Sequence, residues 1–380
     1  MKKYILLFLC SILIAQTNIV QTHITMVSTS NVFAEYYDCG CPNNPLGGLA
    51  RKAHFINTQM INMKDMSRQN PILLDAGNML FDSNEVNPDK LPLKDKKYKA
   101  ENLVRAMELL DHDVINVGSN DFKGGLDFLT DVTSRTTIKF VSANLYDKNE
   151  ELLFSPYHIV SSKGLDIGIV GLSEATKHNS VINKDFVSEG NKNIDKIVDS
   201  VDIVVLLIDI SDDNTIDLAS VFPRADYIFL SGVKYFTEPK AQQRQDGPFI
   251  YAGGIQGKRL SIVNLYLKDP KTSITDASPS FSRMNYISNS LKRYKSKDSS
   301  KTLNEIYAGE PGMLQLIDNY KKESKELEEF LQEEFKNNNF NLFTIIELKK
   351  AMQEDKKVAD FVKKVAANAD FPFEEDGHQH

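Results

Sequence analysis

The feature that most constrains this chain is an alternation. From His23 to about Lys268, short apolar β-rich runs take turns with amphipathic helical stretches. The runs 23–28, 71–75, 113–117, 138–142, 165–171, 202–209, 226–230, 248–252 and 259–267 read as strands. Several, such as Ile203-Val204-Val205-Leu206-Leu207-Ile208, are apolar throughout, as a strand covered on both faces must be. Helical stretches at 48–66, 97–111, 124–134, 190–199 and 214–221 fall between them, so crossover connections in a layered α/β fold are expected. The run 152–171 reads instead as a hairpin turning at Ser162-Lys163-Gly164.

The pattern changes after Lys268. Residues 269–301 are rich in Ser, Lys, Asp and Thr and read as a linker. Apolar residues then recur at helical spacing over 312–337 and 344–367, so 302–380 is expected to be a helical C-terminal region, either a docked hairpin or a partner-binding element. The 380 residues carry a formal charge of −7 with no broad Lys/Arg stripe, which argues against a nucleic-acid partner. The three cysteines are too few for a fold built on disulfides.

At the N-terminus, Lys2 and Lys3 precede an apolar run from Tyr4 to Ala15. A charged start and a run that reaches only about 18 Å as a helix fit a signal peptide over residues 1–20, with no transmembrane segment left after its removal. Cys10 follows Leu9, where a lipoprotein signal would carry a small residue. The mature chain is therefore expected in the periplasm or outside the cell.

Four motifs carry a family resemblance. Gly47-Gly48-Leu49-Ala50-Arg51, Leu74-Asp75-Ala76-Gly77-Asn78, Asp113 to Phe122 (DVINVGSNDF) and Ser142-Ala143-Asn144 stand in order and at sensible spacing. Together they resemble the N-terminal domain of the 5′-nucleotidase/UDP-sugar hydrolase branch of the calcineurin-like metallophosphatases, over about 22–268. The resemblance implies an α/β fold, a metallophosphatase-like four-layer β-sandwich flanked by helices, with the C-terminal helical extension outside it. The substrate-binding C-terminal domain of the 5′-nucleotidases has no counterpart in the residues that remain.

The resemblance also implies a two-metal hydrolysis, in which carboxylate, histidine and asparagine ligands hold two cations and a bridging hydroxide attacks phosphorus. Carried over position by position, the ligand sites fall on residues poorly suited to them. The first Asp-x-His falls on Asn31 and Phe33, and the bridging Asp on Asn78. The Asn-His-Glu run falls on Ser119, Asn120 and Asp121. A later His falls near Asp209, and a Gly-His-x-His motif falls in the histidine-free Ser231-Gly232-Val233-Lys234. No cofactor is expected, because the ancestral two-metal site reads as lost. The seven histidines are scattered and read as structural.

Cys39 and Cys41, in Asp38-Cys39-Gly40-Cys41-Pro42, allow three readings: a structural clip, a thiol-redox or metal-carrying site, or two inert buried thiols. Acidic Glu35 and Asp38 are expected to raise both thiol pKa values. The chain as a whole reads as a non-catalytic member of the fold, acting as a binding or structural subunit with protein partners in the cell envelope through 302–380. The rivals are a phosphoesterase with an atypical ligand set of Asp75, Asp121 and Asp209, and a thiol-redox protein using Cys39 and Cys41.

Overall fold

In the computed structural model, residues 22–59, 71–82, 91–176, 178–244 and 246–371 are described. The expected signal segment 1–20 and the tail histidines His378 and His380 lie outside them. Two compact units divide these residues: a larger one of 24–237, 243–263 and 345–371, and a smaller one of 264–344 with 22–23 and 238–242.

In the larger unit the apolar runs become two sheets. The first uses β1 (Thr22–Thr29), β2 (Ile72–Asp75), β3 (Val114–Asn116) and β4 (Lys139–Val141) as parallel neighbours in that order, with β12 (Arg259–Leu267) on the other side of β1. The short strands β5 (Leu145–Tyr146) and β8 (Ile182–Asn183) pair separately. The second sheet runs β11 (Phe249–Ala252), β10 (Tyr227–Ser231), β9 (Ile203–Asp209), β7 (Leu165–Ser173) and β6 (Tyr157–Ser162). All its pairs are parallel except β6–β7, which is the expected hairpin, closing with Ser162 opposite Leu165. The continuous apolar runs are explained by this burial: all seven residues of β9 are buried, with β3 of the first sheet against one face.

Helices cover the outer faces. Against the first sheet lie α1 (Leu49–His54), α2 (Leu93–Leu109), α3 (Leu126–Ser134) and α9 (Lys356–Ala367), whose Leu103, Met107, Leu129, Val358, Val362 and Val365 share one apolar cluster with Leu73 and Ile115 of the strands. Against the second sheet, α4 (Phe186–Ile197) and α5 (Leu218–Val221) bury Phe186, Ile194 and Leu218 on Val170, Leu206 and Ile228. The four-layer α/β arrangement is the one the sequence predicts.

The smaller unit departs from expectation. Residues 269–301, read as a linker, contain β13 (Ile274–Asp276) and the 18-residue helix α6 (Ser278–Lys295). Phe281 and Met284 of α6 pack with Tyr266, Leu331, Phe335, Phe340 and Leu342, a real core that a polar composition hides. After α7 (Leu303–Ile306) and the long α8 (Pro311–Asn337), the predicted helix over 344–367 is instead split. Asn339–Glu347 form β14, whose Asn339, Phe340 and Asn341 pair in parallel with β13, and the helix resumes only at α9. Alternation drives the strand: Phe340 and Leu342 face the unit's core, and the Asn339 side chain between them and α8 satisfies the backbone of Lys268, Asp269 and Thr272.

Candidate functional site

Parallel strands gather their carboxyl ends, and loops leaving those ends converge. Here β1, β2, β3, β7, β9 and β10 end at Thr29, Asp75, Asn116, Ser173, Asp209 and Ser231. Asn31, Asn78, Ser119, Asn120, Asp209 and Gly232 therefore meet although they are far apart along the chain. All of them except the fully buried Asn31 line a cleft of about 820 Å³, together with Phe33, Phe122, Lys123, Glu174, His178 and Lys234.

The loops after β1 and β2 are laced together by backbone bonds: Asn31 N donates to Gly77 O (3.0 Å), Phe33 N to Asn78 O (3.2 Å) and Ala34 N to Met79 O (2.9 Å). Asn31, Phe33, Ala34 and Asn78 all hold left-handed backbone, with φ of 50°, 54°, 58° and 60°. Asparagine tolerates that region; Phe33 and Ala34 are held there at a cost by the lacing. Gly118 is required by closeness: a Cβ on it would lie 2.5 Å from the backbone N and Oδ1 of Asn78.

The polar atoms on the cleft floor are committed to each other. Asn78 Nδ2 donates to Asp209 Oδ1 (2.6 Å) and to Asn31 Oδ1 (3.2 Å), while Asn78 Oδ1 accepts from Asn120 N (2.9 Å). Asp209 Oδ2 accepts from Ser119 N (2.6 Å) and, at 3.3 Å, from Ser173 Oγ. Asn31 Oδ1 also accepts from Gly232 N (2.8 Å), and its Nδ2 donates to the carbonyls of Val233 and Gly254 (2.9 and 3.0 Å).

Beneath the floor two carboxyls are fully buried. Asp121 accepts from the backbone N of Leu80 and Gly118 (both 2.8 Å) and of Asn78 (3.2 Å). Burial outweighs those bonds and pushes its pKa up to about 7. Asp75 accepts from Thr29 Oγ1 (2.6 Å) and Gly77 N (2.9 Å), and burial raises it to about 6 against the pull of Lys52. Lys52, buried on α1, donates to Thr29 Oγ1 (3.1 Å) and stands 3.0 Å from His112 Nε2; burial lowers it to about 8. Of Asp75, Asp121 and Asp209, Asp209 lines the cleft and the other two are below it.

Cys39 and Cys41 lie apart from these residues, on the loop before α1. The loop is pinned by Arg51, whose Nη1 and Nη2 donate to Asp38 Oδ2 (3.0 and 3.1 Å), by Cys39 N on Leu46 O (2.9 Å) and by Gly47 N on Leu348 O (2.8 Å). Both cysteines are free thiols, with Sγ atoms 2.8 Å apart. The expectation that acidic neighbours raise both pKa values fails for Cys39. Burial pushes its thiol up, but the hydrogen bond from Cys41, the backbone N–H groups of Leu46 and Cys41 and the charge of Lys258 more than offset it, so it is lowered. Arg51 is paired with Asp38 at 3.0 Å, and Asp38 is among the groups that raise Cys41 but not Cys39. Cys41 goes the other way, raised by its bond to Cys39 and by burial.

No protein-family model matches the sequence. Protein UshA of Yersinia enterocolitica is 32% identical over 70 residues, which cover 18% of this chain and 13% of that protein. Among solved structures, the 5′-nucleotidase precursor of Thermus thermophilus superposes with a TM-score of 0.58 at 15% identity, covering 91% of this chain and 59% of that one. Calcineurin-like phosphoesterase YfkN of Bacillus subtilis gives a TM-score of 0.52 at 20% identity, covering 67% and 88%. The fold is that of the calcineurin-like phosphoesterase and 5′-nucleotidase superfamily. This chain thus spans 13% of the UshA length and 59% of the Thermus nucleotidase.

Two-metal hydrolysis in that superfamily sets a test for the residues present. Two dications a few ångströms apart need carboxylate and imidazole ligands to compensate their charge. Of the two carboxylates that line the cleft, Asp209 accepts one amide hydrogen of Asn78 and Glu174 accepts from Ser211 N, and His178 is the one imidazole there. Among the described residues no group of three or more His, Cys, Asp or Glu could hold a metal ion. This donor set does not fit a dication pair.

Ser173, Glu174 and His178 were missed by motif reading. Ser173 bonds Asp209 from the end of β7, Glu174 accepts from Ser211 N (2.7 Å), and the His178 ring stands 5.8 Å from that of Phe122. Their signal was positional: each stands at or just after the end of a buried parallel strand, where such clefts form.

Proposed function

We propose that this chain is a non-catalytic member of the calcineurin-like phosphoesterase and 5′-nucleotidase superfamily that works by binding, in the cell envelope. One observation carries the reading: Asn78, where the resemblance puts the bridging aspartate, donates its amide to Asp209 at 2.6 Å. An amide N–H facing a carboxylate stands where a cation would hold the floor together, and the network it closes takes up both oxygen lone pairs of Asn31 and one of Asn78. The atypical ligand set of Asp75, Asp121 and Asp209 draws no support from the geometry, since two of its members are buried among backbone donors.

The envelope setting rests on the signal-like N-terminus. Among the described residues no helix is long and apolar enough to cross a membrane. A protein partner fits the smaller unit, where α6 and α8 leave Tyr286 and Phe330 exposed at 53% and 44%. Nucleotide and aryl-phosphate hydrolysis by the purified full chain, with manganese or zinc added at millimolar level, tests the central part. The expected result is no turnover above background. Metal-dependent turnover that disappears in Asp209→Ala would refute it. Capture from envelope extracts that is lost in a Tyr286→Ala/Phe330→Asp variant tests the partner surface.

A further inference from the structure

The cysteine loop is built differently from a pair of cysteines that happen to be close. Gly40 holds left-handed backbone, φ 61°, and its N–H is fixed on Asp38 Oδ1 at 3.1 Å. That turn brings the thiols on either side of it to 2.8 Å, where an extended strand would leave them farther apart. The two sulfurs differ in access: Cys39 is 4% exposed, while Cys41 is partly exposed. They also differ in surroundings. Cys39 has the N–H groups of Leu46 and Cys41 and the charge of Lys258 about its sulfur, all of which favour a thiolate.

We propose that Cys39 and Cys41 form a thiol–disulfide exchange site, in which Cys41 is the sulfur that an incoming thiolate attacks and Cys39 the sulfur that leaves. The substrate class is a thiol or dithiol of another protein or a small molecule, and the oxidant that recharges the site is a disulfide. In recharging, the Cys41 thiolate attacks the disulfide RSSR and releases one RSH. The Cys39 thiolate then attacks the Cys41 sulfur of the mixed disulfide and releases the second RSH. Two thiols become one disulfide, RSSR becomes two RSH, and electrons and protons balance. In the forward direction a substrate thiolate attacks Cys41 Sγ, the Cys39–Cys41 bond breaks and its electron pair stays on Cys39. A second substrate thiolate then attacks the substrate sulfur and frees Cys41 as thiolate, leaving the substrate as a disulfide. Burial of Cys39 keeps the outer sulfur as the point of attack, and the groups that favour its thiolate make it the better leaving group. The ring closed by cysteines two apart is small and strained, which makes the disulfide ready to react. The non-catalytic reading concerns phosphoester hydrolysis at the cleft alone, so the two proposals are independent and either can fail without the other.

The test uses the full chain and glutathione disulfide. Reduced wild-type protein is expected to lose both free thiols and gain an internal disulfide, with no lasting glutathione adduct. The Cys39→Ser variant is expected to accumulate a Cys41–glutathione adduct, and Cys41→Ser to react at Cys39 at least about tenfold more slowly. Timed alkylation of the reduced wild type, mapped by mass spectrometry, checks the same order without a variant: Cys41 is expected to label first. Equal reactivity of the two sulfurs, a wild type that ends with two adducts or none, or zinc held by the reduced pair so that closure is blocked would each overturn the proposal.

Discussion

The cleft floor and the cysteine loop lie in the same unit and are both rich in polar groups, yet they use them in opposite ways. On the floor, Asn31, Asn78, Asp209 and the N–H groups of Ser119, Asn120 and Gly232 satisfy one another, and each added bond removes a potential ligand. In the loop the backbone and Arg51 take up the bonding, and two thiols are left facing each other. A satisfied buried network gives rigidity; a pinned loop that holds two nucleophiles side by side gives chemistry. On the two proposals made above, the cleft serves as structure and the reactive groups are the thiols of the loop.

The largest way to break that contrast is to remove what both regions stand on. A variant ending at Thr344 loses Leu348, Val358, Val362 and Val365 from the core of the larger unit, and with Leu348 the carbonyl that holds Gly47. At about 1.5–3 kcal/mol for each buried side chain, the loss rivals the whole stability of a domain. The variant is expected to show no cooperative unfolding transition by circular dichroism. A cooperative transition close to that of the intact chain would mean the C-terminal helix is an appendage.

The next effect belongs to the floor. Asp121, held up at about 7 by burial, binds a proton in the folded chain that it has lost in the unfolded one. Its contribution to stability is therefore complete below its unfolded value near 4 and is lost as pH rises through about 7, by up to about 4 kcal/mol. The denaturant midpoint is expected to fall between about pH 4 and about pH 7, and Asp121→Asn is expected to flatten that slope. A wild type with a slope that the variant leaves unchanged would place the titration elsewhere.

Asp209→Ala leaves Ser119 N and one amide hydrogen of Asn78 without an acceptor. It is expected to cost about 2–3 kcal/mol in urea unfolding while the reactivity order of Cys39 and Cys41 stays the same. Arg51→Met does the reverse on a smaller scale. It releases Asp38 and Gly47 O, is expected to cost about 1–2 kcal/mol, and speeds Cys39 alkylation several-fold with the floor unchanged. If either variant altered the other region as much as its own, the two would be one coupled site.

How much of this the sequence reveals depends on the kind of signal. Continuous apolar runs such as 203–209 announce buried strands, and all nine expected strands are present. The motifs likewise set Asn78, Ser119 and Asn120, and the carried-over ligand positions set Asn31 and Asp209, at or just beyond strand ends, because a loop after a parallel strand has few places to go. Polar composition misled at α6, where Phe281, Met284 and Ile287 suffice to bury one face of a helix otherwise rich in Ser, Asn and Lys. At 339–347 the alternation of Asn-Phe-Asn-Leu-Phe falls in the short gap between the two helical stretches, and residues 344–347 of the strand lie inside the second of them. The pairing of Asn78 with Asp209 was not legible at all, since 131 residues separate them and neither residue type declares its partner. The opposite shifts of the two thiols were hidden for a similar reason: Lys258 and Leu46 reach Cys39 only in the fold.

The most direct measurement is calorimetric titration of manganese into the purified full chain with its thiols blocked. The account predicts no saturable heat up to millimolar metal in either the wild type or Asp209→Ala, because the amide of Asn78 occupies the place of a bridging carboxylate. Saturable binding at micromolar manganese in the wild type, abolished in Asp209→Ala, would contradict it and restore a metal site to the cleft.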